Sequence, residues 1–252
     1  MTVFMPMPMP MPMPMTMNEA TRAKLRRVST ATLATALFKR GFRTQMIQDV
    51  RPLAPRPHSM VGPAFTLRYI PAREDLNPID VFRDPAHPQR VAIETCPPGA
   101  VHVIDSRRDA RAASAGSILV TRLMVRGAEG IVTDGGFRDS AEIAGLDFAS
   151  YHHRPAAPTN LTLSQAIDIN VPIGCGDAPV FPGDIIVGDA DGCIVLPTHL
   201  ADDLADEATE MTAFEDFVTE RVRAGQSIRG LYPPTDPANL DAFKAWRGAN
   251  GR

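Results

Sequence analysis

The chain has 252 residues, 44% hydrophobic and 22% charged, a balance that carries one sizeable globular core and excludes a fibre or a wholly disordered protein. A formal net charge of -3 and a pI near 6.1 provide no clustered excess of Lys and Arg, so no nucleic-acid partner is expected. Cys96, Cys175 and Cys193 form no CxxC pair, no apolar run reaches the ~18 residues that span a bilayer, and the first residues lack a signal-peptide pattern. A zinc site, a disulfide framework and a membrane contact are therefore unexpected, and the expected location is cytoplasmic.

In chain order, residues 5–15 read MPMPMPMPMPM, where proline at every second position precludes a helix or a sheet ladder, so a disordered Met/Pro tail is expected over residues 1–17. From Asn18 the pattern turns helical: Leu25, Val28, Leu33, Leu37 and Phe38 recur at roughly helical spacing up to Gly41, giving one amphipathic helix or two short ones. DVRPL, AFTLRYI and AVHVIDS read as extended segments. Ala115–Gly127 has the helical spacing of Ile118, Leu119, Leu123 and Met124, and the apolar run from Gly130 to Asp134 is a short buried strand, which together imply a βαβ-like unit. DIIVGD and GCIVLP are strands of a hairpin closed by an Asp-Ala-Asp-Gly turn. A long acidic helix then runs to Gly225. The domain is expected over residues 18–225, followed by a Pro-rich extension, residues 226–252, that wraps the surface or a neighbouring subunit.

The stretch TDGGFRDSAE, Thr133–Glu142, places an Arg-Asp pair behind two glycines at the end of the buried strand. Glycine lets backbone approach a ligand closely, and the carboxyl edge of strands in open α/β sheets is where ligands bind. The plainer reading makes Asp139 the cap of a helix through SAEIAG, with Glu142 at capping-box spacing and Arg138 in a surface ion pair. Upstream, Gly116-Ser117-Ile118-Leu119 opens a helix whose free N–H groups offer a carboxylate site, and Arg138 can close the other side of that carboxylate with its planar fork. Asp139 is then available to a hard divalent cation.

Three segments together resemble one family: G-x-x-L at Gly116–Leu119, RGAEGIVTDGGFRDSAE with its R-D-x-x-E at Arg138, Asp139 and Glu142, and FPGDIIVGDADGCIVLP at Phe181–Pro197. The resemblance is to the divalent-metal-dependent pyruvate aldolases typified by 4-hydroxy-4-methyl-2-oxoglutarate aldolase, which share a fold with the RNase E regulator RraA. It covers roughly residues 25–225. It implies a single-domain αββα sandwich like the swivelling phosphohistidine domain, assembled as a homotrimer or homohexamer with sites between subunits. It also implies that Arg138 binds the pyruvyl group, Asp139 holds Mg2+ or Mn2+, and the backbone of Gly116, Ser117, Ile118 and Leu119 takes the carboxylate. A glutamate from the adjacent subunit's C-terminal helix completes such sites. Glu215 matches best by distance, with Glu210 and Glu220 as alternatives. The chain departs from the family at Ser117, where the aldolases usually carry an acid; Asp105 or Asp109 could take its part.

The three lysines, Lys24, Lys39 and Lys244, lie in the N-terminal helical region and in the tail, so a Schiff-base route has no nucleophile near the motif. His152-His153 reads as a surface or core pair, and GCGDAP lacks the full dinucleotide-binding pattern. The resemblance implies that TLRYIPARED is a substrate-side loop in which Arg68 and Arg73 select a second anionic group; solvated surface charge is their default reading. The activity the resemblance implies is cleavage of a 4-hydroxy-2-oxo acid, an aromatic-degradation intermediate or a 2-keto-3-deoxy sugar acid, to pyruvate and an aldehyde or keto product, with oxaloacetate decarboxylation as a side activity. The rival is a non-catalytic regulator that binds a ribonuclease.

Overall fold

The computed structural model describes residues 17–251, so the expected Met/Pro tail lies outside the described residues except for Met17. Seven α-helices are described: α1 Glu19–Leu25, α2 Thr30–Lys39, α3 Pro88–Thr95, α4 Ser117–Val125, α5 Ser140–Ala144, α6 Ala201–Arg223 and α7 Pro237–Asn250. The main sheet has nine strands. Its path is β1 (Met46–Ile47), β14 (Gly192–Leu196), β13 (Ile185–Asp189), β3 (Met60–Pro71), β4 (Val101–Asp105), β6 (Gly130–Thr133), β8 (Ala149–His152) and β2 (Arg51–Pro52), with β10 (Ser164–Ile169) also paired to β3. β3, β4, β6 and β8 are mutually parallel, and the remaining pairings in this sheet are antiparallel.

β3 joins the two halves of the molecule. Its first residues, Met60–Pro63, pair with β13, while Ala64–Arg68 pair with β4 and Leu67–Pro71 with β10. Side chains alternate along the hairpin strands as a period of two requires. Ile185, Val187, Ile194 and Leu196 face α1, α2 and α6 in one apolar cluster, while Ile186, Cys193 and Val195 face inward to a middle cluster with Val101, Val103 and Val132. A third cluster puts Phe65, Leu67 and Tyr69 of β3 against Ile93 of α3 and Val120 and Leu123 of α4. Helices, two sheet halves around a shared middle core, and helices again make the αββα order expected from the resemblance. The three cysteines are free and buried, and none of the described helices is long and apolar enough to cross a membrane.

The N-terminal helical stretch divides in two because Ser29 caps α2, accepting from Thr32 N–H at 3.1 Å. The extension after residue 225 is more ordered than a surface wrap. Asp236 accepts from Ala238 N–H at 3.0 Å and Pro237 takes the first helical position, so α7 starts with two standard helix signals. Phe243 and Trp246 of α7 pack on Phe214 and Phe217 of α6.

Two smaller elements shape the carboxyl edge of the parallel strands. β5 (Ala113–Ala115), β7 (Gly136–Phe137) and β9 (Arg154–Pro155) form a three-stranded parallel sheet, and β11 (Ile173–Cys175) pairs with β12 (Ala178–Val180). The fully buried Asp134 carboxylate takes N–H groups from Ser106, Arg108 and Gly176, while Asp105 accepts from Arg107 N–H at 2.8 Å. Burial first, and the nearby Asp134 carboxylate among the lesser causes, lift the Asp105 carboxyl to about 6.

A raised folded-state value means that the Asp105 contribution to stability is complete below pH 4 and is lost as pH rises through 6. Asp105→Asn keeps an acceptor for Arg107 N–H and removes the titration. The variant should melt above the parent at pH 8, with the gap closing by pH 4; thermal unfolding measured across that range checks this.

Candidate active site

The Arg138-Asp139 pair and the first turn of α4 come together because β5 and β7 run side by side. Arg138 N–H donates to Ala115 O at 3.1 Å, which sets the residues after β7 against Gly116, the residue before α4. Glycine at 116 permits this approach: a Cβ there would stand 2.8 Å from Asp139 Oδ2 and 2.9 Å from Arg138 Cγ.

Asp139 precedes α5 but does not cap it with its side chain. It adopts a left-handed conformation, φ 57° and ψ 36°, a region that costs a non-glycine residue free energy. That turn directs its carboxylate across to α4, where Oδ2 accepts from Ser117 N–H at 3.3 Å and from Ser117 Oγ at 3.4 Å. Arg138 Nε lies 3.5 Å from the same oxygen. The plain capping reading therefore fails on geometry, while the ion pair it proposed is present. In the first turn of α4, Leu119 N–H donates to Gly116 O at 3.1 Å, so the Ile118 N–H is left without an intrahelical acceptor.

A cavity of about 240 Å3 opens at this point. Gly116, Ile118, Leu119, Arg138 and Asp139 line it, while Ser117 faces an adjoining recess with Thr121 and Glu142. Sequence reading missed other residues of its lining, Phe82, Gln89, Arg90, Thr159 and Asn160. The Arg90 guanidinium lies 4.6 Å over the Phe82 ring, a second cation beside the site. No periodic pattern marks these residues; the Pro-rich context of α3, with Pro88 at its first position, was the available signal.

Other expected residues lie elsewhere. Glu215 is on α6 and accepts from Thr32 Oγ1 at 2.9 Å; Glu210 pairs with Arg247, and Glu220 accepts from Trp246 Nε1 at 2.7 Å. None of the three lines the cavity of its own chain. Arg68 pairs with Asp168 and Arg73 with Asp75, both outside the cavity, and Arg90 is the guanidinium that lines it with Arg138. Asp105 lies with Asp134 beneath the turn between β11 and β12, and Asp109 pairs with Arg111 at 2.7 Å, so neither stands in for the missing acid in this cavity. His152 is buried and stacks on Phe137 with ring centroids 5.4 Å apart; burial lowers its imidazole to about 4, so it is a neutral core residue near neutral pH. Lys24, Lys39 and Lys244 pair with Asp206, Glu207 and Asp241, away from the cavity.

Among the described residues no three His, Cys, Asp or Glu side chains cluster as a protein-only metal cage. Magnesium-type ions commonly take one or two carboxylates and complete their shell with water and substrate. Asp139 fits that mode, since Oδ2 is engaged while no hydrogen bond to Oδ1 is found among the described residues.

Comparison with known proteins gives concordant results. A Halalkalibacterium halodurans protein provisionally named 4-hydroxy-4-methyl-2-oxoglutarate aldolase is 36% identical over 127 residues, 49% of this chain and 58% of the relative. The matched regions span a little over half the length of the curated relatives. The structure of Streptomyces coelicolor RraAS2, described as an unusual member of the RNase ES inhibitor RraA protein family, superposes with a TM-score of 0.70 at 27% identity, covering 80% of this chain and 96% of that one. An uncharacterised Pseudomonas syringae pv. tomato protein shares the fold, with a TM-score of 0.72 at 22% identity, covering 86% of this chain and 98% of that one. The RraA-like family model, Aldolase/RraA, matches residues 30–195, and the chain belongs to that family.

Proposed function

We propose that the chain is a divalent-cation-dependent lyase that cleaves a 4-hydroxy-2-oxo acid to pyruvate and an aldehyde or keto product. The observation that carries this reading is the left-handed Asp139, whose carboxylate is turned from its own helix to the mouth of a cavity shared with Arg138 and the first turn of α4. In this reading the 2-oxo acid carboxylate lies between the Ile118 N–H in the first turn of α4 and the Arg138 fork. Asp139, through its free Oδ1, would hold Mg2+ or Mn2+, and the cation would supply electrophilic assistance at the ketone.

The reaction takes the proton from the C4 hydroxyl and breaks the C3–C4 bond. The electron pair of that bond moves through C3 towards the C2 oxygen, and a proton delivered to C3 completes pyruvate. Oxaloacetate would lose carbon dioxide through the same carbanion equivalent, hence the proposed side activity. An imine route would need a lysine in the cavity, and the lysines are paired on other surfaces.

Ser117, together with the likeness to RraAS2, favours a second reading, a non-catalytic regulator that binds a ribonuclease. Pyruvate release from a panel of 4-hydroxy-2-oxo acids in magnesium, followed by coupled lactate dehydrogenase, separates the two. Release from none of them, together with ribonuclease binding, would replace the lyase reading.

Arg138→Lys keeps the charge but loses the planar fork, so kcat/KM should fall about 100-fold, whereas a surface ion pair would lose little. Asp139→Asn tolerates the left-handed conformation and removes the anionic ligand. It should raise the magnesium concentration for half-activation at least about tenfold with little change in melting temperature, since the Asn side-chain oxygen can still accept from Ser117.

The proposed assembly is a homotrimer or homohexamer in which Glu215 serves a neighbouring site. Light scattering at micromolar concentration should report three or six subunits; a monomer that still turns over would remove Glu215 from the site.

A further inference from the structure

Gln89 stands in the first turn of α3, is 3% exposed and lines the same cavity as Arg138. The orientation of its amide is determined by its neighbours. Nε2 lies 2.8 Å from Ser114 O, a group that can only accept, so the NH2 faces it and the amide oxygen faces away. The NH2 also reaches Tyr69 Oη at 2.9 Å, and that hydroxyl donates its own proton to Ser114 O at 3.0 Å. Asn160 Oδ1, 3.4 Å from Nε2, presents its oxygen because Asn160 Nδ2 donates to Ser164 O.

The other end of the amide has no such partner. No described residue donates to Gln89 Oε1, and this oxygen is not among the unpartnered polar atoms sealed from solvent. Oε1 therefore keeps contact with open space, and the cavity that Gln89 lines is the candidate for that space. An acceptor locked in place and emptied of water when a ligand enters favours a ligand that brings a donor over one that does not.

We propose that Gln89 Oε1 accepts the hydrogen bond of a hydroxyl on the half of the substrate beyond its pyruvyl end, making Gln89 a specificity residue for hydroxylated 2-oxo acids. The inference rests on the pyruvyl-site reading above and adds the group that recognises the 4-hydroxyl. A neutral amide does not take the proton of that hydroxyl. It recognises the O–H on binding, and for cleavage that single proton must turn from Oε1 to a base.

The test uses 2-oxopentanoate, 4-hydroxy-2-oxopentanoate and 4-methoxy-2-oxopentanoate, which share one carbon chain and present at C4 no polar group, a donor, and an acceptor without a donor. Binding to the full chain in magnesium is read from the ligand-induced shift in thermal unfolding, with KM from pyruvate release wherever the hydroxy acid is cleaved. The hydroxy acid should bind at least about tenfold tighter than the other two. Gln89→Met, similar in length and without the amide, should bring that ratio close to one. Gln89 also holds Tyr69 and Ser114, so the variant's own unfolding is recorded; should it not fold, the hydroxy-to-methoxy ratio of the unsubstituted protein decides alone. Equal affinity for all three acids, or a preference that survives Gln89→Met, overturns the Gln89 assignment and leaves the pyruvyl site standing. Failure of all three to bind overturns the 2-oxo acid reading itself, and this inference with it.

Discussion

The Asp134 carboxylate accepts backbone N–H groups from Ser106 at 2.6 Å, Arg108 at 3.0 Å and Gly176 at 3.1 Å, and so fastens the end of β4, the end of β6 and the turn between β11 and β12 at one point. An apolar residue there would strand three donors, each at about 1–3 kcal/mol when buried. The next residue, Gly135, lies against a triangle of buried hydroxyls. Ser106 Oγ is 2.6 Å from Ser114 Oγ, which is 2.7 Å from Thr133 Oγ1, and a Cβ on Gly135 would come within 2.6 Å of both serines. The six residues from Asp134 to Asp139 are thus held at both ends by carboxylates, one turned into the core and one turned across to α4. The strain of a left-handed Asp139 persists because the chain on either side is over-determined.

That bracket explains what sequence reading could and could not find. The meeting of Gly116, Arg138 and Asp139 was legible because its marks are local: a helix start, a glycine pair and a charge pair within two short stretches. α2, α4, α6 and the hairpin of β13 and β14 were legible because their apolar positions repeat with one period over their whole length. β5, β7 and β9 are two or three residues each, too short to show a period, yet they create the register that sets Arg138 against Gly116. Gln89 and Arg90 were invisible for another reason. They reach the cavity only because α3 packs Ile93 and Ala92 into the same cluster as Val120 and Leu123 of α4, a tertiary event without a local mark. The start of α7 did carry a mark, Asp236-Pro237, which the surrounding prolines obscured.

The acids of α6 show how an extension redistributes charge. Glu207 meets Lys39 and Arg40, Glu210 meets Arg247, Glu215 meets Thr32, and Glu220 meets Trp246. The helix is bound on one side by α2 and on another by α7, so these carboxylates have partners within the chain. Exposed pairs of this kind contribute little each. The aromatic packing of Phe214, Phe217, Phe243 and Trp246 carries more of the attachment of α7, because rings bury large apolar area and pair favourably edge to face.

The balance of charge in the cavity bears on the unusual serine. The first turns of α3 and α4 both open on it, and two guanidinium groups, Arg90 and Arg138, stand on its walls; Asp139 is the one carboxylate among the described residues that line it. Such a cavity favours anions through helix dipoles and fixed cations together. An acid at position 117 would set a second carboxylate beside Asp139, whereas Ser117 donates to Asp139 through both its N–H and its hydroxyl and consumes one of its oxygens. On the proposed reading the remaining oxygen serves the cation, so both Asp139 oxygens are engaged. On that reading the base for the substrate hydroxyl would be water or a carboxylate from another subunit, and Ser117, in place of the acid usual in similar aldolases, would move the acid/base step away from this wall of the site.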